Sequence, residues 1–152
     1  MRTVCNKIHI INIEEEMSHM KNTFESYMKE PYVLDFCEMQ RLHRDLISEI
    51  GNDADAIELY DELIEIATKY AAIRAKWGML SREEKMDIDS LRTSHHNSVI
   101  IHFNMLARYL RMQGKKAAWR DVLGDDEVNR YYRKTIGDFG CYIVFVNSIC
   151  AR

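Results

Sequence analysis

Five cations fall close together in the second half of the chain: Arg108, Arg111, Lys115, Lys116 and Arg120, with no acid among them and with Tyr109 and Trp119 interleaved. Guanidinium and ammonium groups neutralise phosphates and carboxylates, and an aromatic ring beside them offers a face for stacking. Arg130, Tyr131, Tyr132, Arg133 and Lys134 repeat the mixture further on. On a helix, Arg108 and Arg111 share a face that Lys115 continues one turn later. The expectation is one anion- or partner-binding patch of Arg108, Arg111, Lys115 and Arg120, with Tyr109 or Trp119 at its edge. The competing reading is that the cations answer a helix C-terminal dipole or are merely solvated. His95 and His102 are a second pair to consider, because two helical turns bring them to the same side as a possible buried polar pocket. Their Cα atoms are then ~10.5 Å apart, too far for comfortable joint ligation of one metal. Buried histidines satisfied by a neighbouring Asn or Tyr are the simpler expectation.

Carboxylates give two further patterns. Glu16 and His19 form a single E-x-x-H element like that of di-iron bundles, but the second element is missing. Glu62 and Glu65 followed by Glu84 and Asp87 make an E-x-x-E…E-x-x-D order. It resembles the Mg²⁺ motif of the all-α nucleoside-triphosphate pyrophosphohydrolases, in which carboxylates from two facing helices hold the ion against a triphosphate. The resemblance spans four degenerate positions, and Glu84 has a competing role in capping a helix. Asp138-Phe139-Gly140 spells a kinase triplet without a glycine-rich phosphate loop or a catalytic H-R-D loop.

These residues must be positioned by helices. One Pro and six Gly in 152 residues are too few turn formers for a β-sandwich or barrel. Asn12 with Glu15 suggests the start of a first helix, which Pro31 stops. A second helix is expected from about Tyr32 to Ile50, closed by Gly51. A third, capped by Asn52 or Asp53, runs to Trp77 with apolar rows on two sides. Ser81 and Glu84 form a capping box for a fourth that nothing breaks before Gly114. A short helix follows over Lys116–Leu123. The last is expected to begin at Asp125 and Asp126, whose charges suit a helix N-terminus, and to end near Ile149. The segments Val99–Ala107 and Cys141–Val146 are apolar nearly all round, as expected for two buried central helices. Gly137 and Gly140 would permit a close helix contact there. The expected architecture is an all-α single-domain bundle of five or six helices covering 1–152, with residues 1–11 irregular.

Charge is uneven. Residues 1–65 hold 6 Lys/Arg and 15 Asp/Glu, a net −9, whereas residues 66–152 hold 15 and 9, a net +6. Such halves can attract within one fold or between subunits. Cys5, Cys37, Cys141 and Cys150 form no metal-type pair, and Cys37, Cys141 and Cys150 lie among apolar residues, so they read as reduced packing thiols. No secretory leader and no run approaching a membrane span is visible, and a cytoplasmic protein is expected.

The segments Leu106–Tyr109, Trp119-Arg120 and Ile136–Tyr142 are similar to a small bacterial family of all-α proteins with no assigned function, over most of the second half of the chain. The resemblance implies a bacterial helical protein and carries no catalytic residue. The functional expectation is a non-catalytic binding protein acting through its basic-aromatic surface. Its partner would be another protein or a second copy in a homodimer, with nucleic acid ranked behind. No cofactor is expected. The alternative is a Mg²⁺-dependent nucleotide hydrolase using Glu62, Glu65, Glu84 and Asp87.

Overall fold

Helix starts follow their capping residues. The computed structural model describes residues 13–28 and 33–150, in which six helices follow one another: α1 (Ile13–Tyr27), α2 (Phe36–Ile50), α3 (Ala54–Trp77), α4 (Arg82–Met112), α5 (Ala118–Leu123) and α6 (Tyr131–Cys150). Asn12, Pro31 and Cys5, and the expectation of irregular structure over residues 1–11, lie outside the described residues. Asp53 caps α3 by accepting from the backbone N–H of Asp55 and of Ala56. Ser81 and Glu84 complete the capping box of α4, each side chain bonding the other's backbone N–H. These bonds satisfy amides that a helix N-terminus leaves without partners.

Three expected boundaries shift, each for a local reason. The second helix starts at Phe36 because Asp35 is extended and takes the Cys37 amide, which makes Asp35 the cap. The short helix starts at Ala118, since Ala117 is left-handed, at φ 49° and ψ 43°. Its amide is held by the Glu49 carboxylate at 2.9 Å. The last helix starts at Tyr131 instead of at Asp125. The Asp125 carboxylate folds onto the Glu127 amide, the Asp126 carboxylate faces Arg120 and Arg133, and Asn129 takes the Tyr131 amide at 2.9 Å.

α3 and α4 form a hairpin, and α6 packs against both. α4 and α6 hold the apolar centre: Val99, Phe103 and Leu106 on one, Ile136, Phe139 and Ile143 on the other, none with exposed surface. Gly140 lets the two approach, because a Cβ there would lie 3.1 Å from a Val99 methyl. α1 and α2 cover α6 through edge-on rings: Phe24 against Tyr142 and Phe145, and Phe36 against Tyr142. α5 closes the end of the bundle between α2, α4 and α6. Cys141 is buried and in no disulfide among the described residues, but Cys37 is exposed, since its position on α2 falls outside the buried series Phe36, Met39, Leu42, Leu46 and Ile50. Among the described residues no helix is long and apolar enough to cross a membrane.

Candidate functional site

The basic segment of the sequence splits between surface and core. An open cleft of about 640 Å³ lies between the end of α4, α5 and the turn after it. Arg108, Arg111 and Arg120 line it, but so do Asp121, Asp125 and Asp126. Arg111 pairs with Asp121 at 2.8 Å and donates to the Lys116 and Ala117 carbonyls. Arg120 donates to Asn104 at 2.7 Å and to the Gly124 carbonyl at 2.8 Å, and meets Asp126 at 3.5 Å. Both arginines therefore spend their donors tying α4, α5 and the following turn together. Arg108 alone among them is exposed without a polar partner among the described residues. Lys115 is exposed and does not line the cleft.

Of the two aromatic residues, Trp119 is buried and Tyr109 half-buried. Trp119 is 1% exposed, packs on Phe103 and donates its indole N–H to Glu49 at 2.9 Å. Tyr109 donates its hydroxyl to the Asp53 carboxylate, 2.9 Å from each oxygen. Hydrogen bonds from the Ala56 amide, and then from Tyr109, hold Asp53 below its ordinary carboxylate value, and the same contact pushes Tyr109 up to about 12. Trp119 is thus not available for stacking on a ligand, whereas Tyr109 is half-buried with its hydroxyl held by Asp53. What stands beside Arg108 is aliphatic. Ile101, Met105 and Met112 are 55%, 43% and 74% exposed. With Arg108 they follow a 4-3-4 spacing, which is a single face of the helix.

His95 and His102 are half-buried, and neither lines the cleft. His102 donates Nδ1 to the Ser98 carbonyl one turn back, a local satisfaction that leaves it outside any network. The histidine drawn into the bundle is His96. Its ring stacks on Tyr70 with centroids 4.8 Å apart, and Nε2 donates to the Arg133 carbonyl at 2.7 Å. Burial, and then the nearby guanidiniums of Arg133, Arg74 and Arg92, push it down to about 4. His96 precedes Val99, Ile100 and Phe103 by three, four and seven residues, so the register of the buried face was the signal that selects it over its neighbours. His96 lines a second hollow, of about 260 Å³, with Tyr70, Arg92, Arg130, Arg133 and Lys134. Beneath it Arg74 and Asp138, 1% and 0% exposed, form an ion pair at 2.6 Å. Asp138, the first residue of the kinase-like triplet, is thus an interior counter-ion.

The four carboxylates of the hydrolase motif are not brought together. All four are exposed, and Glu84 is engaged with the Ser81 amide. The α3–α4 hairpin turns near residues 78–81, so Glu84 and Asp87 lie level with the last turns of α3. Glu62 and Glu65 are displaced by roughly 10–20 Å along the axis. Among the described residues no group of three or more His, Cys, Asp or Glu side chains is placed to hold a metal ion. No protein-family model matches the chain, and neither a curated protein nor a solved structure matches it.

Proposed function

We propose that the protein acts by binding another protein, through the outer face of α4 on its basic half. The observation that carries this reading is the row Ile101, Met105 and Met112, left in solvent around the unpaired Arg108. Exposed apolar side chains grouped around a charge are what a docking partner covers. The partner's matching surface is apolar with a carboxylate opposite Arg108. A second copy meets the charge requirement, because residues 1–65 carry a net −9. Nucleic acid suits the face less well. Arg111 and Arg120 are already neutralised within the chain, and Asp121, Asp125 and Asp126 would face the phosphates.

The test compares the wild type with Met105→Asp and Arg108→Glu, two exposed substitutions that leave the core intact. Light scattering at rising concentration measures self-association, and the same three proteins serve as baits against a lysate with identification of what each retains. The reading expects a dimer, or a defined retained protein, that both variants lose. A wild type that stays monomeric at millimolar concentration and retains the same proteins as the variants ends it.

A further inference from the structure

The exposed stripe of α4 is part of a longer row. Asp87, Leu91, Ser94, Ser98, Ile101, Met105, Arg108 and Met112 follow one another in alternating steps of four and three. Such steps keep to one side of a helix, here the side opposite the buried Val99, Ile100, Phe103 and Leu110. Every residue of the row is exposed except Ser98, which is half-buried. A four-three alternation is also the seven-residue repeat along which two helices pack lengthwise, the knobs of one in the holes of the other. Among the described residues no helix covers it.

The row reads the same in both directions about a point between residues 99 and 100. A second copy laid antiparallel, with a two-fold axis at that level, sets Ile101 against the partner's Ser98 and Met105 against the partner's Ser94. Large side chains then meet small ones, so the two helices can interdigitate. Leu91 comes level with the partner's Arg108, whose aliphatic stem can lie along it. The two charges of the row, Asp87 and Arg108, are of opposite sign, and neither has a polar partner among the described residues. Parallel copies would place Arg108 beside Arg108 and Asp87 beside Asp87. Antiparallel copies bring Arg108 within one turn of the partner's Asp87, ~6 Å along the axis, which the arginine side chain can bridge. The two-fold axis makes that pair twice.

We propose, resting on the docking reading above, that the partner is a second copy of this chain, laid antiparallel along this row of α4 with Arg108 paired to the partner's Asp87. The carboxylate opposite Arg108 then comes from α4 itself and not from the acidic first half of the chain. An isologous contact of this kind closes on itself, so the assembly stops at a dimer.

The test is sedimentation equilibrium of the wild type, Arg108→Glu, Asp87→Lys and the variant carrying both substitutions, with circular dichroism to confirm equal helix content. The wild type should dimerise. Each single substitution should raise the dimer dissociation constant about tenfold or more, because it sets two like-charge pairs face to face in every dimer. The double variant should associate as the wild type does, and so should an equimolar mixture of the two single variants, in which every pair is again of opposite sign. Rescue by mixing cannot come from chains that failed to fold. A wild type that stays monomeric at millimolar concentration overturns the dimer; the docking face then survives only if Met105→Asp loses a protein that the wild type retains. A dimer that Met105→Asp dissociates, but that the single charge reversals leave intact or that mixing does not restore, overturns the antiparallel pairing and leaves the docking face in place.

Discussion

Asparagine in place of Asp138 removes one charge from the interior and almost no volume. The Asp138 carboxylate has no exposed surface, and one oxygen lies 2.6 Å from the guanidinium of Arg74, itself 1% exposed. The other oxygen accepts from the Val33 amide, a bond that an asparagine carbonyl can keep. Lys134 reaches the same carboxylate only at 4.0 Å and is partly in solvent, so it adds little. Cutting a buried ion pair from one side costs about 3–5 kcal/mol, because the remaining charge stays buried without its counter-ion. That is a large share of the ~5–15 kcal/mol that holds a domain together. At about 2–4 °C per kcal/mol for a chain of this size, Asp138→Asn should melt roughly 6–20 °C lower. Circular dichroism melts give the shift, and a urea titration should show a lower midpoint at unchanged slope. The companion variant Arg74→Met with Asp138→Leu replaces the pair by apolar groups and should recover most of the loss, since a buried pair contributes little net stability over a packed apolar substitute. A loss under about 1 kcal/mol for Asp138→Asn, or a double variant less stable than the single one, would refute the reasoning.

Gly137→Ala should cost about 1–3 kcal/mol by urea titration, because the new methyl meets the immobilised His96 and Tyr70 rings, at 2.9 Å and 3.0 Å from their nearest atoms; unchanged stability would mean that α6 has slack there. His43 and His96 are both pushed down to about 4 by burial. Their contribution to stability is therefore complete above the unfolded value of 6.5 and is lost as pH falls toward 4, by on the order of 2 kcal/mol per histidine after allowance for partial exposure. Melting temperatures from pH 7 to pH 4 would show the decline, and imidazole midpoints near 6.5 by NMR would contradict it. Glu49→Ala strands the Ala117 amide and the Trp119 indole N–H, and should cost about 2–3 kcal/mol. Tryptophan emission should move to the red in that variant if α5 loosens; unchanged emission and stability would show that other groups hold it.

Helix identity was legible because it depends on near neighbours. Asp53, Ser81 with Glu84 and Gly51 stand where the expected boundaries put them, and the all-round apolar stretches of α4 and α6 do form the centre. What failed depends on residues far away in the chain. Trp119 looked like a surface aromatic among arginines, yet Glu49, seventy positions earlier, supplies the acceptor that lets its indole go inside. Asp125 and Asp126 looked like helix-starting acids, and Asp126 is instead claimed by Arg120 and Arg133. His95 and His102 repeat at the right period, but α4 is covered on more than one side, and period alone does not say which histidine meets α3 and α6. The basic patch was legible as charge and not as availability: pairing within the chain leaves Arg108 exposed and unpaired while Arg111 and Arg120 become structural.

The rings of Tyr142 and Phe145 that receive Phe24 and Phe36 have a consequence for the order in which the protein can be made. The α3–α4 hairpin closes through a short turn and has its partner as soon as both helices have emerged from the ribosome. α1 and α2 do not. The surface they rest on belongs to residues translated more than a hundred positions after Phe24, on the order of ten seconds later at ordinary elongation rates. Throughout that interval Phe24, Phe36, Met39 and Leu42 have no completed α6 to cover them. Any pause in translation before Tyr142 therefore prolongs the exposure of the chain's first two apolar helices, the state in which a nascent chain needs a chaperone.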